Sequence, residues 1–92
     1  MNIAIVDEEK IELETAEAFL RFYIKKFFPE RENGIHIEIF QHAEDFLQVF
    51  SAEWYHLIIL GACMESVAGF IRARGDTKII FLKLNDDWWS DL

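Results

Sequence analysis

The sequence predicts an alternating α/β domain, with a parallel sheet of about four strands held between helices on both faces. Two observations predict it. Four short apolar runs alternate with stretches of helical period, giving the order β-α-β-α-β-α-β. The third and fourth runs, His56–Leu60 and Lys78–Leu82, are apolar nearly throughout, as strands covered on both faces are. The chain's turn signals, Pro29, Gly34 and Gly75, fall between these runs and not inside them. Crossovers are expected to be right-handed, and the expected strand order is 2-1-3-4.

Asn2 to Val6 is a short β-branched run bounded by acids, hence a buried strand. Asp7-Glu8-Glu9 leads into a helix from about Lys10 to Phe28, with Asp7 as its cap and the acids at the positive end of the dipole. Leu13, Ala16, Leu20, Tyr23, Ile24 and Phe27 recur at three-to-four spacing and form its inward face. Pro29 stops the helix, and Glu30 to Gly34 is a polar turn. Ile35 to Phe40 alternates apolar and polar residues, as a half-exposed strand near a sheet edge does. Ala43 to Phe50 is a second helix, with Phe46, Leu47 and Phe50 inward. His56 to Leu60 is the third strand. Ser66 to Arg74 is a short helix carrying Val67, Phe70 and Ile71, Gly75-Asp76 is a turn, and Lys78 to Leu82 is the fourth strand. Lys83 to Leu92 is read as a loop or a single helical turn.

Composition excludes several classes of function. At 92 residues there is room for one small core, and an apolar fraction of 52% excludes disorder. No apolar run approaches the ~20 residues of a membrane helix. Met1 to Asp7 has no basic stretch before its apolar residues, so it is not a signal peptide. A lone cysteine, Cys63, cannot form an internal disulfide, and a reducing cytoplasm is expected. The formal charge of −8 repels a phosphate backbone, and the cations Arg21, Lys25 and Lys26 sit among glutamates. Nucleic-acid binding through this chain is therefore not expected.

In an open parallel sheet, sites gather beyond the carboxyl ends of the strands, near the switch in strand order. Asp7, Glu8, Gly61 and Lys83 all follow strand ends, so the pattern places them around one crevice.

Four segments carry a resemblance to a known family. They are Val6-Asp7-Glu8 at the first strand end, Phe40 to Leu47 around the second, Tyr55 to Leu60 with Met64, and Thr77 to Leu82. Together they resemble the receiver domains of bacterial response regulators, those of LytTR-type regulators most closely. The resemblance spans most of the chain and implies a flavodoxin-like, three-layer fold. It also implies a crevice in which paired acids and an acceptor aspartate hold a divalent metal, with a Thr or Ser after the fourth strand and a Lys after the fifth. Here Asp7 and Glu8 match the acids, Gly61 stands at the acceptor position, and Lys83 stands at the Thr/Ser position. The sequence runs out before a fifth strand. The resemblance thus implies a receiver that has lost its phosphoacceptor: no enzyme, no cofactor beyond weak Mg²⁺ binding at Asp7 and Glu8, and a cytoplasmic signalling role through protein contact. Its alternative is the receiver part of a two-component transcription regulator whose DNA-binding domain lies outside this chain.

The other side chains offer little chemistry. Lys83 is placed to pair with Asp7 or Glu8 in place of a metal. His36, His42 and His56 lack metal-ligand spacing, and Cys63 has no histidine supplied beside it. No phosphate-binding loop or nucleophile motif is present.

Two features point to a protein partner or a second copy. At ~100° per residue, Ile11 and Phe22 lie roughly opposite Leu13 and Leu20, with Phe19 to one side, so a helix face rich in Phe is left outward. The fourth strand, almost wholly apolar, becomes a sheet edge, which needs a cover such as Trp88 and Trp89, another copy or another protein. Phe19, Phe22, Trp88 and Trp89 are the expected contact residues.

Overall fold

Strand β1, Asn2–Val6, forms the centre of the sheet, in a computed structural model that describes residues 1–82. It is followed by α1 (Lys10–Phe27), a 3₁₀ helix (Pro29–Gly34), β2 (His36–Phe40), α2 (Ala43–Val49), β3 (Leu57–Leu60), α3 (Glu65–Arg72) and β4 (Lys78–Phe81). The sheet has four strands, all parallel, in the order β2-β1-β3-β4, as expected of a flavodoxin-like α/β domain. Register runs Val6 to Phe40 on one side and Val6 to Leu60 on the other, with Leu60 facing Phe81.

Strand alternation divides the core in two. Ile3, Ile5 and Ile59 face α1 and pack with its Leu13 and Ala16. Ala4, Val6, Ile58 and Leu60 face the other way and pack with Phe46 of α2 and Val67, Ala68 and Ile71 of α3. One helix thus covers one face and two cover the other, which makes the layers α-β-α.

The inward face of α1 is shorter than its periodicity predicts. Leu13, Ala16 and Ile24 are buried, but Tyr23 and Phe27 are exposed. Length explains this: an 18-residue helix is about 27 Å long, whereas strands of four or five residues reach about 17 Å. The last turn of α1 overhangs the sheet, and there Tyr23 packs instead on Phe27 and Phe28, with ring centroids 4.8 and 6.0 Å away. The polar stretch expected as a turn is the 3₁₀ helix, with Pro29 in its first turn, where no amide hydrogen is needed.

Tyr55, just before β3, is buried against Phe46 and stacked on Phe50 at an interplanar angle of 5°. Its hydroxyl donates to Glu38 Oε2 at 2.8 Å, which ties β2 to the segment entering β3. Burial first, then the bond to Glu38 and its negative charge, push the phenol above its ordinary value of 10.0. The folded chain therefore keeps this proton longer than the unfolded chain does, and the associated stability is complete below pH 10.0 and falls as pH rises above it. Tyr55→Phe is expected to lose about 1–2 kcal/mol in urea titration at neutral pH, and to flatten the decline on the alkaline side.

Candidate functional site

The first residues beyond the strands extend the ladder by one step and build the floor of a crevice. Asp7 N–H donates to Phe40 O at 3.1 Å, Gly61 N–H to Val6 O at 2.8 Å, and Leu82 N–H to Leu60 O at 2.6 Å. Asp7 and Gly61 thereby sit side by side at the carboxyl ends of β1 and β3.

Asp7 is 5% exposed, the sole charged residue in the core of the described chain. Its Oδ1 accepts the Glu9 amide hydrogen at 2.9 Å. The cap position of α1 is Glu9, so Asp7 acts two residues upstream of the place expected for a cap, closing an Asx-type turn. Its Oδ2 is buried and finds no hydrogen-bond partner among the described residues. A carboxylate in that state is costly, and the surroundings explain how it got there.

Gly61 is the reason. A Cβ at this position would lie 2.7–2.8 Å from Cγ, Oδ1 and Oδ2 of Asp7, closer than side-chain atoms approach. Its backbone φ is not positive, so glycine serves close approach here and not an unusual turn. The space in which a side chain at position 61 would begin is already occupied by the Asp7 carboxyl group. Gly61 O then accepts the Met64 amide hydrogen at 3.0 Å, and Met64 buries its side chain behind the loop.

Glu12, in the first turn of α1, is the member of this group that the sequence reading missed. Its carboxyl is raised above the ordinary 4.5, by burial first, then by a hydrogen bond with Asp7 and by the charges of Asp7 and Glu9. The signal was available: five residues beyond Asp7 is the distance at which a first helical turn folds back over the residue that leads into it. Because the shift is upward, the folded state binds more protons than the unfolded state just above pH 4.5, and stability falls as pH rises from there. Glu12→Gln is expected to raise the thermal midpoint at neutral pH and to remove that part of the pH slope, as read by differential scanning fluorimetry across a pH series.

The remaining expected members separate. Glu8 is exposed, and its carbonyl oxygen accepts from Gln41 Nε2 at 3.4 Å. Lys83, Trp88 and Trp89 lie outside the described residues. Cys63 is exposed. Among the described residues no three His, Cys, Asp or Glu side chains are placed to hold a metal ion. No described helix is long and apolar enough to cross a membrane.

The second candidate surface is the outward side of α1. Ile11 is 79% exposed and Phe22 61%, and Phe19 is also exposed, as the helical spacing predicts. Ile11, Glu14, Thr15, Ala18, Phe19 and Phe22 line a groove of about 500 Å³ along it. Lys26 Nζ lies 5.7 Å from the Phe22 ring centroid and 5.5 Å from that of Phe27. On β4, Ile80 and Phe81 are exposed at the sheet edge. No protein-family model matches the chain, and no curated protein matches it.

Proposed function

We propose that this domain is a receiver-like signalling module that works in the cytoplasm by contact with a protein partner or a second copy, and that it takes no phosphoryl group at the usual position. The observation that carries this reading is the contact of Gly61 with the Asp7 carboxylate, 2.7–2.8 Å from where a Cβ would stand. An acceptor aspartate needs that space, and a bound Mg²⁺ needs several oxygens turned toward it. Here one oxygen of Asp7 is engaged by the Glu9 amide, and the neighbouring Glu12 carboxyl holds its proton more firmly than usual. The exposed apolar side of α1 and the exposed β4 edge support a contact role, because such surfaces are more often interfaces than bare solvent-facing area.

Incubation with acetyl phosphate and Mg²⁺, followed by intact-mass measurement, tests the reading. The expected result is no added phosphoryl group under conditions that label an ordinary receiver. A labelled species, with the modified residue mapped to the crevice, would overturn it.

A further inference from the structure

We infer that the outward side of α1 docks on the same helix of a second copy, antiparallel, about a two-fold axis near Ala18. The inference rests on the contact-module reading above and names its partner. Its first support is a seam. Ile11, Thr15, Ala18 and Phe22 lie on the side of α1 away from buried Leu13, Ala16 and Ile24. They are spaced four, three and four apart, the spacing at which one helix packs along another.

Shape is the second support. The groove has small residues, Thr15 and Ala18, at its middle and the larger Ile11 and Phe22 towards its ends. An antiparallel copy centred near Ala18 lowers its Phe22 onto the first copy's Thr15 and Ala18, and receives the first copy's Phe22 in return. A knob and its hole are thus carried by one surface, as a two-fold interface requires.

Charge is the third support, and it selects a second copy over a foreign helix. Glu14 flanks the first half of the seam and Lys25 the second half on the same side, where Arg21 is already paired with Glu17 at 3.1 Å. Antiparallel pairing sets Glu14 of each copy beside Lys25 of the other. In a parallel pair each flank meets the opposite flank of the other copy, so Glu14 would not meet Lys25. Each chain carries a formal −8, so two copies meet only where opposite charges are locally matched. The half-acidic, half-basic helix supplies that match.

Sizing with light scattering across a wide range of concentration, on the whole chain, is the test. The wild type should dimerise, and Phe22→Glu should weaken the dimer at least about tenfold. Phe22 is mostly exposed, so that variant should keep its circular dichroism, and should match the wild-type thermal midpoint at the dilution where the wild type is monomeric. Glu14→Lys alone and Lys25→Glu alone should each weaken the dimer. An equal mixture of these two variants should restore it. In each mixed pair the two introduced charges, opposite in sign, face one another, and so do the unaltered Glu14 of one copy and the unaltered Lys25 of the other.

A monomer at every concentration overturns the inference and leaves the face to another protein. A dimer indifferent to Phe22→Glu also overturns it and moves the contact to the β4 edge. Loss in both charge variants without recovery on mixing overturns the antiparallel register. Acetyl phosphate treatment of the same samples keeps the two readings apart. Added phosphoryl mass counts against the contact module, whereas its absence in a monomeric chain counts against self-docking alone.

Discussion

Replacing Phe46 with alanine will bring the domain to the margin of folding. Phe46 is 0% exposed and is the largest fully buried side chain among the described residues. Its ring lies 5.2 Å from Phe40, 5.6 Å from Phe50 and 5.5 Å from Tyr55, centroid to centroid, so it joins β2, the end of α2 and the entry to β3. Removing a buried phenyl ring costs about 3–5 kcal/mol in lost transfer energy and unfilled cavity. A chain of 92 residues has a total stability of about 5–14 kcal/mol. The variant should therefore lose a large share of that, with a urea midpoint shifted far down and an unchanged slope. Phe46→Leu should recover much of the loss, because it refills part of the volume. If Phe46→Ala unfolds at the wild-type midpoint, the cluster on the α2 and α3 face is not the principal core.

The position of Phe46 in that core was legible in the sequence, and so were the four strands, their order and the outward Ile11 and Phe22. The strands and the outward residues follow from a local period, two for strands and about 3.6 for helices, whereas the handedness of crossovers sets the face on which each helix lies and not the strand order. What was not legible depends on lengths and on contacts between distant residues. Tyr23 and Phe27 have the right period for burial, but α1 outruns the strands it covers, and period carries no information about where the sheet stops. Asp7 was readable as a residue beyond a strand end, hence near Gly61. Its burial was not, because it depends on the missing Cβ of a glycine far along the chain and on Glu12 folding back from α1. Glu8, read as its equal, differs by one residue and so by one face: Asp7 turns in, and Glu8 turns out to solvent. Lys83, Trp88 and Trp89 stand beyond the described residues, so the expected ion pair and the expected cover of the edge rest on sequence alone.

Gly61→Asp, which places a carboxylate against Asp7, is expected to destabilise the domain by about 3–5 kcal/mol at neutral pH, the range for an uncompensated buried charge. Two effects combine. The new Cβ would lie 2.7–2.8 Å from the Asp7 carboxyl group, so Asp7 must leave its place and give up the Glu9 amide. The new carboxylate also joins Asp7, whose Oδ2 already lacks a partner among the described residues, and Glu12, whose proton is already held by burial and repulsion. A further negative charge in that space raises the Glu12 carboxyl further. Gly61→Ala isolates the steric part and should cost about 1–3 kcal/mol. Combining it with Asp7→Ala should recover much of that steric cost, because the colliding group is gone, and a double-mutant cycle would return a coupling energy of the same order. The pH series separates the rest: the Gly61→Asp deficit should shrink as pH falls towards the carboxyl range, where the added group is neutral, while the Gly61→Ala deficit should not change. Saturating Mg²⁺ supplies the opposing case. If it returned Gly61→Asp to wild-type stability, Asp7 would have swung out to share a metal at little cost. The crevice would then be open to a metal ion and not closed by Asp7.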